Sequence, residues 1–125
     1  MSTKNKDTEL KMLDTQARMV AEQLDRLDTS MAEVEYLKDS LDELSKLKKD
    51  SEILAPMSSG IFVKAKLQDT KTLLVNIGKD IVVEKTVEET KELLEERSKE
   101  MTDVREKLMQ QMQELEEKLV KLGEE

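Results

Sequence analysis

Between residues 10 and 34 apolar side chains recur at Leu10, Leu13, Ala17, Val20, Leu24, Leu27, Met31 and Val34, in alternating steps of three and four. That spacing is a heptad repeat, which keeps a narrow stripe of an α-helix facing a partner helix. The next apolar residues, Leu37, Leu41, Leu44 and Leu47, begin with a second step of three, which reads as a stammer that overwinds the coil locally. The remaining positions carry Glu, Asp, Lys, Arg and Gln, mostly good helix formers, so one helix is expected over residues 8–50. A second stripe runs through Leu94, Met101, Val104, Leu108, Met112, Leu115, Leu119 and Leu122, interrupted by Arg97. Ahead of it stands Thr86-Val87-Glu88-Glu89, a capping box in which the Thr hydroxyl accepts from the N–H three residues on and the Glu reaches back. With Gly123 as a C-terminal stop, the second helix is expected over residues 86–123. At 1.5 Å per residue the two stripes span about 57 Å and about 54 Å. Neither helix can hide its stripe alone, and the matched lengths favour an antiparallel two-helix coiled-coil hairpin; pairing between chains is the alternative.

From residue 51 to residue 85 the period shortens to two. Ile61, Val63, Ala65 and Leu67 alternate with Phe62, Lys64 and Lys66; Leu73, Val75 and Ile77 alternate with Leu74 and Asn76; Ile81 and Val83 follow. These are strands. A further strand is expected from Glu52 to Met57, interrupted by Pro56, with turns at Ser58-Ser59-Gly60, Gln68-Asp69-Thr70-Lys71 and Gly78-Lys79-Asp80. Two hairpins result, and both strand faces hold apolar residues. Isolated hairpins are marginal in water and open strand edges invite another chain. The insert therefore reads as an assembly module, with Ile61, Val63, Ala65, Leu67, Leu73, Val75, Ile77, Ile81 and Val83 as its candidate contact residues. The fold class is α+β, mainly α.

Composition narrows the function. Aromatic residues are 2% of the chain and charged ones 40%, so the apolar surface must be buried along a seam and not in a sphere. With no Cys and no His, thiol nucleophiles, Cys/His zinc sites and Ser-His-Asp triads cannot be built, and three Gly form no phosphate-binding loop. The Glu-rich run at Glu114, Glu116 and Glu117 fans around a helix and reads as a solvated face. No enzyme, cofactor or metal is expected. A net charge of −8 argues against nucleic acid, and no apolar run is long enough for a membrane span. Met1 to Asp7 lacks the apolar core of a signal peptide, so a cytoplasmic location is expected.

The run from Ile53 to Lys66 (ILAPMSSGIFVKAK), then Asp69, Leu74-Val75-Asn76-Ile77-Gly78 and Val82-Val83-Glu84-Lys85-Thr86, resembles the alpha-type subunit of prefoldin, in order and spacing. Two departures stand in turns: Ser58 where the family often has Gly, and Asp80 where a second Gly often follows Gly78. The resemblance implies an ATP-independent co-chaperone, archaeal in type, whose hairpins join an oligomeric β-barrel platform of two alpha-type and four beta-type subunits. It further implies that the coil tips capture unfolded polypeptides and pass them to a group II chaperonin. Antiparallel pairing would bring Leu10, Met12, Leu13 and Met19 to one tip with Met112, Leu115, Leu119 and Leu122, and these are the candidate client-binding residues. Methionine suits irregular partners because its thioether side chain repacks cheaply. A scaffold or filament former that polymerises through the same β edges is the alternative from a structural class.

Overall fold

The computed structural model describes residues 3–124. The chain forms helix α1 (Thr3–Ser45), strands β1 (Glu52–Ser58), β2 (Ile61–Lys66), β3 (Thr72–Gly78) and β4 (Ile81–Thr86), and helix α2 (Val87–Glu124). Val34–Glu96 makes one compact unit, and the described residues on either side of it make another.

In the unit made by the outer segments, the two helices run antiparallel, because residue numbers rise along one as their neighbours' numbers fall along the other. Leu13 shares a groove with Leu122, Val20 with Leu115, and Asp28 accepts a hydrogen bond from Arg105. Val20, Leu108 and Leu115 are buried, with Leu13, Ala17, Leu24, Leu27 and Met112 packed around them. Val34–Glu96 holds the end of α1, both hairpins and the start of α2. There Lys38 bonds to Glu95 and Lys91 to Asp42, again in antiparallel order.

Burial corrects the heptad register in both helices. Leu37 is 48% exposed, and the seam position after Val34 is filled by Lys38, then Leu41, so the three-four alternation continues past Val34; the second step of three falls later, from Leu41 to Leu44, where Ser45 is exposed. In α2, Val104 is 47% exposed while Ser98 and Arg105 are half-buried. Its seam is Lys91, Leu94, Ser98, Met101, Arg105, Leu108, Met112, Leu115, Leu119 and Leu122, an unbroken alternation. The step of four from Leu108 to Met112 is part of it, and the exposed Arg97 lies outside it. Leu37 and Val104 are apolar but stand one position off the seam, whose members beside them, Lys38 and Arg105, are charged.

The helix ends have local causes. α1 stops at Ser45 and not near residue 50; its last turn tightens through Lys46 and Leu47 N–H groups donating to the Glu43 and Leu44 carbonyls. Asp50 is left-handed (φ 69°) and donates its N–H to the Leu67 carbonyl at 2.7 Å, which ties the exit of α1 to the end of β2. At α2 the capping box is complete: Glu89 N–H donates to Thr86 Oγ1 at 3.1 Å and Thr86 N–H donates to Glu89 Oε1 at 3.0 Å. Gly123 does not stop α2, which continues to Glu124; the left-handed geometry of a glycine cap is absent there.

Both hairpins form separate two-stranded antiparallel sheets, β1 with β2 and β3 with β4. Their tight loops are Ser59-Gly60 and Lys79-Asp80, all with positive φ, the condition for the turn whose twist matches antiparallel strands. Gly78, at φ 128°, donates its N–H to Asn76 Oδ1 at 2.9 Å and opens the second turn beside a register shift. Asp80 takes the left-handed conformation that Asp tolerates better than most residues. Pro56 does not split β1. It pairs with Phe62 and is followed by a bulge, a position where a missing N–H is tolerated.

Candidate functional site

Two surfaces stand out, one in each unit. Along the coil of the outer segments, one flank is open. A groove of about 320 Å³ is lined by Met12, Leu13, Gln16, Lys118, Leu122 and two further charged residues. It shares Gln16 and Lys118 with a groove of about 340 Å³ that contains Met19, Val20, Gln111 and Leu115. Met12 and Met19, seven residues apart, are 59% and 56% exposed. The remaining candidate client residues belong to the seam: Leu115 is buried, and Leu10, Leu13, Met112, Leu119 and Leu122 are half-buried. The grooves thus bring Met12, Leu13 and Leu122 to one opening and Met19 and Leu115 to the next. Val120, at 60% exposure, escaped the sequence reading; its signal was an apolar residue one step off the seam.

In Val34–Glu96 the hairpins leave apolar surface uncovered. The cross-strand register puts Ile53, Ala55, Val63 and Ala65 on one face of the first hairpin, and Leu54, Pro56 and Phe62 on the other. In the second hairpin Leu73, Val75 and Val83 share a face, and Leu74 and Val82 take the opposite one. Of the candidate assembly residues, Ala65, Leu67, Leu73, Val75 and Val83 are half-buried, while Ile61, Val63, Ile77 and Ile81 are exposed. The sequence reading missed Leu54, Met57, Phe62, Leu74 and Val82, all exposed, with Leu74 at 78%. A strand that is apolar in both phases gives no signal for which face is outward. Between the hairpins the chain turns at Asp69, whose carboxylate accepts from Lys71 N–H at 2.7 Å and Thr72 Oγ1 at 2.6 Å. The hydroxyl bond first, then the backbone bond, holds this carboxyl below its ordinary range.

Charge pairs brace the helices. Lys38 Nζ lies 2.6 Å from Glu95 and 3.0 Å from Glu35, and Lys91 Nζ lies 2.5 Å from Asp42. The hydrogen bond that Lys38 donates to Glu95, then that to Glu35, raises Lys38 above its ordinary 10.5; the bond to Asp42 raises Lys91 likewise. Asp42 is held below 3.8 by Lys91, and Glu89 below 4.5 by the Thr86 N–H and hydroxyl. Carboxylates with lowered values contribute stability that is lost as pH falls below their ordinary values, and lysines with raised values contribute stability lost as pH rises above 10.5. The thermal midpoint of helicity, followed by circular dichroism, is expected to be flat from about pH 6 to about pH 9 and to fall modestly on both sides. A monotonic rise through either edge would contradict these pairings.

Among the described residues no group of three Asp or Glu side chains is arranged to hold a metal ion, and no helix is long and apolar enough to cross a membrane.

A family model described as prefoldin subunit matches residues 13–125. The chain belongs to the prefoldin family. It is 31% identical over 112 residues to prefoldin subunit alpha of Pyrococcus horikoshii, an alignment covering 89% of this chain and 76% of that protein. Prefoldin subunit alpha of Thermofilum pendens is 37% identical over 94 residues, 72% of this chain and 73% of its own. Human prefoldin subunit 5 is 32% identical over 110 residues, 79% of this chain and 71% of its own. A filamentous prefoldin of Methanocaldococcus jannaschii, solved by cryo-EM, shares the fold with a TM-score of 0.85 at 24% identity, over 93% of this chain and 96% of that one. The resemblance read from the hairpin residues is thereby shown, as is the fold of two long helices with two β-hairpins. Family membership supports a chaperone-type subunit and does not favour the scaffold alternative; prefoldin subunits form oligomers with other prefoldin subunits.

Proposed function

We propose that this prefoldin subunit is an ATP-independent holdase component that captures unfolded polypeptides at the distal part of its coil and hands them to a group II chaperonin in the cytoplasm. In this reading two copies assemble with four beta-type subunits through the hairpins. The observation that carries the reading is the pair of exposed methionines, Met12 and Met19, beside open grooves and among charged residues. Holding a non-native chain calls for apolar surface that is dispersed, adaptable and kept soluble by surrounding charge. Met12 and Met19 are the first contacts, and Leu10, Leu13, Met112, Leu119 and Leu122 join them as the helix ends fray. Leu115 is the member of the set that contributes least, because it is packed in the core.

Replacing both exposed methionines, Met12→Gln with Met19→Gln, removes apolar surface without emptying the seam. In the assembled complex the double variant is expected to suppress aggregation of a chemically unfolded test protein several-fold less well than the parent, with the mass of the complex unchanged. Full protection by the variant would move the client site to the cavity side of the β platform or to the partner subunits.

A further inference from the structure

Between Leu10 and Leu41 of α1 and between Lys91 and Leu122 of α2, three seam positions carry cations, and all three are bonded alike. Lys38 in α1 and Lys91 and Arg105 in α2 occupy the same heptad position (a) and are half-buried. Each reaches a carboxylate at the e position of the facing helix: Lys38 to Glu95 at 2.6 Å, Lys91 to Asp42 at 2.5 Å, and Arg105 Nε to Asp28 at 2.9 Å. The first two pairs lie within Val34–Glu96 and the third within the other unit. Apolar side chains in these slots would avoid the desolvation of a charge, so a seam built for stability alone has no use for them. Polar residues at a positions are known instead as devices that specify register and partner.

We propose that these three pairs are a pairing code that selects α1 against α2, antiparallel and in this register, over slipped coils and over self-pairing of either helix. The alternatives lose the code in distinct ways. Sliding α2 by one heptad in one direction sets Thr102 against Lys38, Ser98 against Asp42 and Met112 against Asp28, so every pair is lost. The opposite slide keeps an acid, Glu88, for Lys38, but sets Ser98 against Asp28 and Glu84 against Asp42. In a parallel coil of two α1 helices, position a faces its own copy, so Lys38 meets Lys38. The acids at e gain no cation there, because their g neighbours are Glu9, Gln23, Ser30 and Leu37. Two α2 helices would likewise oppose Lys91 to Lys91 and Arg105 to Arg105. A chain that assembles beside other coiled-coil subunits of its family needs this discrimination, since an uncharged Leu seam accepts any Leu seam.

The chain has no Cys, so engineered cysteines report pairing directly. Val20 and Leu115 belong to one buried cluster, and Leu122 lies one heptad beyond Leu115. In the full-length chain, mild oxidation is expected to close Val20→Cys with Leu115→Cys and to leave Val20→Cys with Leu122→Cys open. With Lys38→Leu, Lys91→Leu and Arg105→Leu added, the preference for the Leu115 site is expected to fall several-fold, and Val20→Cys as the one cysteine should give covalent two-chain species that Val20→Cys in the otherwise unchanged chain does not. Exchanging partners in all three pairs (Lys38→Glu with Glu95→Lys, Lys91→Asp with Asp42→Lys, Arg105→Asp with Asp28→Arg) should retain the parent's selectivity. Undiminished selectivity in the leucine variant would overturn the proposal, as would loss of selectivity in the exchanged variant.

Discussion

Leu108→Ala is expected to destabilise the coil by about 2 to 4 kcal/mol, the cost of deleting buried methyl groups where the surroundings only partly collapse. Leu108 is 9% exposed and lies in the cluster with Val20 and Leu115. For a chain of this size the thermal midpoint should drop by roughly 10 °C. The exposed neighbours supply the contrast: Leu37→Ala and Val104→Ala should each change stability by no more than about 0.5 kcal/mol. Thermal melts followed by circular dichroism separate the two outcomes. If Val104→Ala cost as much as Leu108→Ala, the seam would run through Val104 and the register that includes Arg105 would be wrong.

Val75→Pro is expected to abolish assembly with other prefoldin subunits while leaving the helices largely intact. Val75 is half-buried in the middle of β3, opposite Val83. Proline there lacks an N–H and fixes φ near −65°, which a mid-strand position does not accommodate. The second hairpin should open, and with it the surface that carries Leu74 and Val82. The coil seam holds no residue of this strand, and the capping-box bonds run between Thr86 and Glu89 themselves, beside Thr72 and three residues from Val75, so helicity should persist. Native mass and circular dichroism read the two effects separately, and unchanged assembly would remove the second hairpin from the interface.

The readable parts of this chain are those in which one kind of residue carries one kind of information. From Leu10 to Val34 every seam residue is apolar, and the heptad found there is the one in the structure. The capping box was equally legible, since a Thr and a Glu three apart have a specific backbone partner each. Beyond Val34 the seam passes through Lys38, and in α2 through Ser98 and Arg105, so apolar spacing pointed to Leu37 and Val104 instead. A lysine can sit in a seam because its aliphatic stem covers apolar surface while its ammonium reaches out to a carboxylate. That information lies in the cross-helix pairs with Glu95 and Asp42, which no single-helix pattern contains. The end of α1 was misjudged because residues 46–49 hold no helix breaker; its exit is tied by the hydrogen bond from Asp50 to Leu67, distant in sequence. In the hairpins the period of two and both turns were visible, but not the outward face. Of the candidate client residues, Met12 and Met19 are apolar positions that the sequence itself places outside the stripe, whereas the burial of Leu115 depends on what faces it.

In the proposed function the hairpins are the assembly surface for other prefoldin subunits and the coil is left free to hold a client. Native mass of the chain alone, and mixed with an archaeal beta-type prefoldin subunit, tests it most directly. The expected result is a discrete particle of six chains that forms only on mixing. Long polymers of the single chain, or no complex on mixing, would contradict it.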